Sequence, residues 1–120
     1  MDAEFLQRLH EKIDDNLGDE NFGVDDLARG VAMSYSHLHR KLHALTGTPP
    51  AQYIRRTRLQ RALGMLQRNA GTVSEIAYSV GFSSPAYFTK CFHEQFGVRP
   101  SEMKGLPTDA YVPPRRPPQK

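Results

Sequence analysis

Apolar residues recur along this chain at helical rather than strand spacing. Phe5, Leu6, Leu9, Ile13 and Leu17 line one face of a first helix that Gly18 closes. Residues 19–22 read as a polar connection. Val24, Leu27, Ala28 and Val31 give a second stripe, with Gly23 at the N-cap and Asp25 and Asp26 placed against the helix dipole. Ser34 caps a third helix, where Leu38, Leu42 and Leu45 form the buried face and Gly47 the stop. Pro49 and Pro50 open a long fourth helix over 51–69, whose Leu59, Ala62, Leu63 and Leu66 face a core; Gly71 breaks it. Thr72 and Glu75 form a T-x-x-E capping box ahead of Ile76, Ala77 and Val80, and Gly81 ends that helix as a residue able to take positive φ. Ser84 caps the next, with Pro85 at its first position, Phe88, Phe92 and Phe96 at i, i+4, i+8, and Gly97 at its end. After Pro100, SEMKG has room for a turn or two of helix. The pattern predicts an all-α fold of about seven helices.

Two segments of this pattern are copies of one another. Val24, Leu27 and Ala28 match Val73, Ile76 and Ala77 at an offset of 49; Ser34, Leu38, Arg40, Leu42, His43, Gly47 and Pro50 match Ser84, Phe88, Lys90, Phe92, His93, Gly97 and Pro100 at an offset of 50. One residue has therefore been added in the turn of the second copy. Each copy is a helix, a short turn and a second helix, the helix-turn-helix pattern. The first unit covers 23–47, the linker helix 50–69 and the second unit 72–97. Two hairpins of one design, separated by a single helix, imply a duplicated binding unit rather than a solenoid.

Charge sharpens this picture. Residues 1–26 hold nine acids against two bases, whereas 27–120 hold fourteen bases against four acids, so a net charge of only +3 conceals a basic larger part suited to a polyanion. Arg55, Arg56, Arg58, Arg61 and Arg68 make the linker helix basic; such a row reads first as a solvated face, with Arg55 and Arg58 also placed for ion pairs to the acidic first helix. Residues 106–120 contain five prolines and three bases without periodicity and read as a disordered tail, with PPRRPP as a less favoured polyproline ligand. The chain has no run of about 18 apolar residues and a single cysteine, Cys91, which fits a cytoplasmic setting; beside Phe88 and Phe92, Cys91 reads as a small packed hydrophobe.

The candidate chemistry lies on the exposed faces of the two second helices. Ser36, Arg40 and His43 stand opposite the Leu38/Leu42/Leu45 stripe with His39 on its flank; in the second copy Ala86, Lys90 and His93 are exposed, with Thr89 on the flank and Pro85 near the N-terminal end. A recognition helix inserts such residues into the DNA major groove, N-terminal end foremost. Arg40 has the fork to bind guanine O6 and N7, about 1–3 kcal/mol of discrimination, while Ala86 offers only a methyl contact. Lys90 is a point charge for guanine or phosphate. The capped N-termini at Ser34 and Ser84 present backbone N–H groups to phosphates. Base reading is thus expected to be stronger in the first copy, with the second supplying more positioning.

Competing classes carry less. No nucleophile–base pair or metal set marks an enzyme. His39 and His43 stand i, i+4, but neither a third ligand nor HExxH accompanies them, so DNA-facing histidines are favoured over zinc. The phenylalanine row reads as core, and an A-form major groove is too narrow for these helices, which disfavours RNA. The alternative is a helical protein-interaction module docking a receiver domain or RNA polymerase without reading DNA.

With IRRTRLQRALGML in the linker helix and SEIAYSVGFSSPAYFTKCFHEQFGVRPSEMK in the second unit, residues 4–105 resemble the DNA-binding domain of the AraC/XylS family of bacterial transcription regulators. The resemblance implies a DNA-binding domain over 1–105, two helix-turn-helix units bridged by the linker helix, and recognition helices in adjacent major-groove segments. It carries DNA contacts onto Ser36, His39 and Arg40, then Pro85, Ala86, Thr89 and Lys90, and it implies an activator without cofactor. Pro85 and Ala86 depart from the longer polar side chains common at those positions, which weakens the part of the second helix in direct base reading. HLHRKLHALTG and FLQRLHEKIDDNL are also similar to output domains at the C-terminal end of hybrid two-component regulators. An excised output domain, its receiver and sensor region missing, is favoured over a small stand-alone regulator. Double-stranded DNA is the expected partner, RNA polymerase and that missing region are further candidates, and no membrane is involved.

Overall fold

A computed structural model describes residues 2–106. The helices are α1 (Asp2–Asp15), α2 (Val24–Gly30), α3 (Tyr35–Thr46), α4 (Pro50–Gln67), α5 (Val73–Ser79), α6 (Pro85–Phe96) and α7 (Pro100–Met103), and no strand occurs among the described residues. The Pro/Arg-rich tail expected over 106–120 lies, from residue 107 on, outside them.

Local chemistry sets the helix ends. The Thr72 hydroxyl accepts from the Glu75 N–H at 3.1 Å and the Glu75 carboxylate from the Thr72 N–H at 2.8 Å, the reciprocal pair predicted from T-x-x-E. The Asp26 carboxylate takes the Gly23 N–H at 2.9 Å. Ser34 and Ser84 accept from the N–H groups of His37 and Tyr87. Gly47 and Gly97 close the two second helices at φ +71 and +76, each donating to a histidine carbonyl (His43, His93) at 2.8 Å. The duplication extends to the turns: the N–H groups of Val31, Ala32 and Met33 bond back to Leu27, Arg29 and Ala28, as those of Val80, Gly81 and Phe82 do to Ile76, Tyr78 and Ala77. The match still runs at 49 through Phe82 and at 50 from Ser84, so the added residue is Ser83.

Two hydrophobic cores are threaded on α4. The first joins Phe5, Leu9 and Ile13 of α1 to Leu27, Ala28, Leu38 and Leu42, and meets α4 at Ile54. The second joins Ile76, Ala77, Val80, Phe88, Cys91, Phe92, Phe96 and Met103 to Leu59, Ala62 and Leu66. Burying side chains of this size stabilises by about 1.5–3 kcal/mol each. Both α3 and α6 pack on α4.

Several boundary and burial expectations are corrected. Helix α1 ends at Asp15, because the Asn16 side-chain amide donates to the Lys12 carbonyl at 2.8 Å and satisfies the last turn. Leu17 lies beyond the helix and packs against the second core. Phe22, in the connection read as polar, is buried in the first core. Leu45, expected on the buried face of α3, is 36% exposed. Helix α4 stops at Gln67, with Asn69 at φ +55.

Arg58 is the largest departure. Far from joining a solvated face, it is 5% exposed. Its Nη1 donates to the carbonyls of Leu17 (2.6 Å) and Val80 (2.7 Å), and its Nη2 to those of Asp19 (2.9 Å) and Phe22 (3.3 Å). The pair to the acidic first helix is made instead by Arg61, bidentate to Asp14 at 2.7 and 2.9 Å.

Candidate nucleic-acid interface

Burial of Leu38 and Leu42 fixes the rotation of α3, and burial of Phe88 and Phe92 fixes that of α6. What remains outside follows from helix geometry. On α3, Ser36, Arg40 and His43 are exposed and His39 is half-buried. On α6, Ala86, Lys90 and His93 are exposed, while Pro85 and Thr89 are half-buried. Ser34 is exposed and Ser84 half-buried, both engaged as caps. The structure thus gathers Ser34, Ser36, His39, Arg40 and His43 on one helix and Ser84, Pro85, Ala86, Thr89, Lys90 and His93 on its copy.

Two tyrosines were not among the residues singled out from the sequence. Tyr35, 51% exposed, heads a row of rings along α3: its centroid lies 6.2 Å from that of His39, which stacks nearly parallel on His43 at 6.2 Å. The row was visible as i, i+4, i+8 spacing of ring-bearing residues on the polar face. Tyr87, 50% exposed, stands in the first turn of α6 with its ring 6.0 Å from Phe82. It lines a cleft of about 330 Å³ between the two units, together with Asn21, Phe22, Arg55, Arg58 and Ser83.

The cations differ in what they are free to do. Arg58 and Arg61 are consumed internally, and Arg56 donates to the Thr48 hydroxyl at 2.9 Å. Arg40 and Lys90 form no intramolecular hydrogen bond or ion pair among the described residues. Groups of three or more His, Cys, Asp or Glu side chains arranged to hold a metal are absent among the described residues, and no helix there is long and apolar enough to cross a membrane.

A family model described as a helix-turn-helix domain matches residues 27–105. The chain belongs to the AraC family of helix-turn-helix DNA-binding domains. This AraC-type domain is 35% identical over 102 residues to histidine kinase P4 of Formosa agariphila, covering 85% of the chain and 7% of the kinase. It is 34% identical over 102 residues to the HTH-type transcriptional activator RhaS of Shigella boydii, covering 85% of the chain and 36% of RhaS. The chain therefore spans a small part of each relative. Among solved structures, the DNA-binding domain of the global transcriptional factor AdpA, in complex with a target DNA, superposes with a TM-score of 0.68 at 30% identity, covering 79% of this chain and 87% of that one. The family is one of DNA-binding transcription regulators rather than enzymes.

Proposed function

We propose that residues 1–105 form a sequence-specific reader of double-stranded DNA that regulates transcription, with α3 and α6 entering adjacent segments of the major groove. The observation that carries this reading is the repeated helix that buries its apolar edge, is capped by a serine at its N-terminal end and turns an unpartnered cation, Arg40 or Lys90, outward. Similarity to the DNA-bound AdpA domain supports it. Arg40 reads guanine, with Ser36, His39 and the newly found Tyr35 beside it. Lys90 and Thr89 position the second helix, which Pro85 and Ala86 leave without a long polar tip.

Similarity to RhaS favours activation, which requires contact with RNA polymerase, and similarity to a much longer histidine kinase favours a signal delivered by a receiver or sensor region. The test is selection of sites from random duplex DNA. Two short motifs about 10 base pairs apart are expected, with the better-defined one lost in Arg40→Ala. Salt-sensitive binding with no enriched motif would leave only phosphate contacts, and absence of DNA binding would favour a protein-docking module.

A further inference from the structure

The two cores share no buried residue, so the seam between the reading heads must be held by something other than a continuous apolar interior. At that seam sits Arg58. Three of its four acceptors, Leu17, Asp19 and Phe22, belong to the connection between α1 and α2 that leads into the first unit; the fourth, Val80, is the C-cap of α5 in the second. All four are backbone carbonyls, and those of Leu17 and Val80 lie just past helix C-termini, where the dipole favours a cation. The fit is tight on every side. A Cβ on Gly81 would overlap Arg58 Nη1 and lie 2.6 Å from the Leu17 carbonyl, and one on Gly18 would lie 3.5 Å from the Ser79 carbonyl. Backbone leading into the first unit thus comes close to backbone of the second around the guanidinium. A planar fork with five fixed donors can span both at once; a lysine ammonium, a point donor on a flexible stem, cannot reproduce that geometry.

Resting on the DNA-binding reading above, we propose that Arg58 is the positioning residue that fixes the angle between the two helix-turn-helix units and so sets the spacing of half-sites the domain accepts. The linker helix α4 and the packing of Leu17 on the second core also join the two heads. Moving a half-site by one base pair shifts it by about 3.4 Å and rotates it by about 34°. A locked seam cannot follow that displacement, whereas a loosened one can. Neither core contains Arg58, so its loss leaves each head able to read its own bases.

The experiment uses the two half-motifs selected by the wild-type chain, rebuilt in duplexes with the native separation, one base pair fewer, and one or two more. Wild type is expected to lose about tenfold or more in affinity for each base pair of displacement, as for a mismatched site. Arg58→Met is expected to bind the native spacing more weakly and to vary less than about threefold across the series, with unchanged base preference inside each half-motif. Arg58→Lys should fall between the two, and it decides the matter if Arg58→Met fails to melt cooperatively. A folded variant that keeps the wild-type steepness overturns the role of Arg58. A wild-type chain that selects no bipartite motif overturns instead the DNA-binding reading, and the role of Arg58 with it.

Discussion

Gly47 and Gly81 show how differently two glycines at positive φ are constrained. Gly47, at φ +71, has open space where a Cβ would stand, so Gly47→Ala should cost only the backbone strain, about 1 kcal/mol. Gly81, at φ +93, has the same strain plus overlap with Arg58 and the Leu17 carbonyl, and Gly81→Ala should cost more than about 3 kcal/mol. Chemical denaturation of the two variants separates these values, and equal losses would contradict the close approach at the seam. Both glycines were marked in the sequence as helix stops. Only the second also serves as clearance, and that need is invisible until Leu17, fifteen residues past Asp2, is brought against it by the fold.

His10 carries a second residue-level consequence. Its Nε2 shares a 2.7 Å hydrogen bond with the Tyr53 hydroxyl, while its buried Nδ1 has no partner. Burial first, then the Arg61 guanidinium, lowers its pKa from the ordinary value, with the Asp14 carboxylate opposing. The folded protein therefore binds a proton on His10 less readily than the unfolded chain does. Stability from this site is complete above the unfolded value of about 6.5 and is lost as pH falls from there through the lowered folded value. Melting of wild type should drop more steeply than that of His10→Gln between pH 7.5 and 5.5; parallel curves would remove His10 as the cause.

At the scale of elements, α3 and α6 are the same helix with different tips. Each has a serine cap, a closing glycine and two or more buried apolar residues one turn apart. They diverge where DNA would be met: α3 begins Tyr35–Ser36 and carries the ring row to His43, whereas α6 begins Pro85–Ala86. Lys90→Ala is thus expected to weaken binding about equally on all sequences and to reduce the slope of log affinity against log salt by about 1. Fluorescence anisotropy at several salt concentrations reads this directly, and loss of preference at a single base position would instead make Lys90 a base reader. The shared design was legible because caps, glycines and apolar spacing are local codes. The ends of α1 and α4 were less so, since a side-chain amide at Asn16 and a turn at Asn69 stop them where the apolar stripe alone would run on.

For the molecule as a whole, the sequence revealed the duplication, the helix order and the outward faces of α3 and α6. It did not reveal the seam. Four arginines on α4 look alike by composition, yet Arg58 is buried on carbonyls, Arg61 pairs with Asp14, Arg56 bonds Thr48, and Arg55 lines the inter-unit cleft. Those fates depend on which backbone groups distant in sequence end beside each guanidinium. Spacing within one helix cannot encode that. The charge imbalance is likewise only partly what it looked like, because some basic charge of the linker helix is spent inside the fold.

The carbonyls around Arg58 also order events during synthesis. Arg58 follows Phe22 by 36 residues, and Val80 follows Arg58 by 22. At roughly 5–20 residues per second, the connection between α1 and α2 waits about 2–7 s for its donor, and the donor about 1–4 s more for its last acceptor. Until then water must serve those groups. On the ribosome, the first head can close before the direction of the second has been decided.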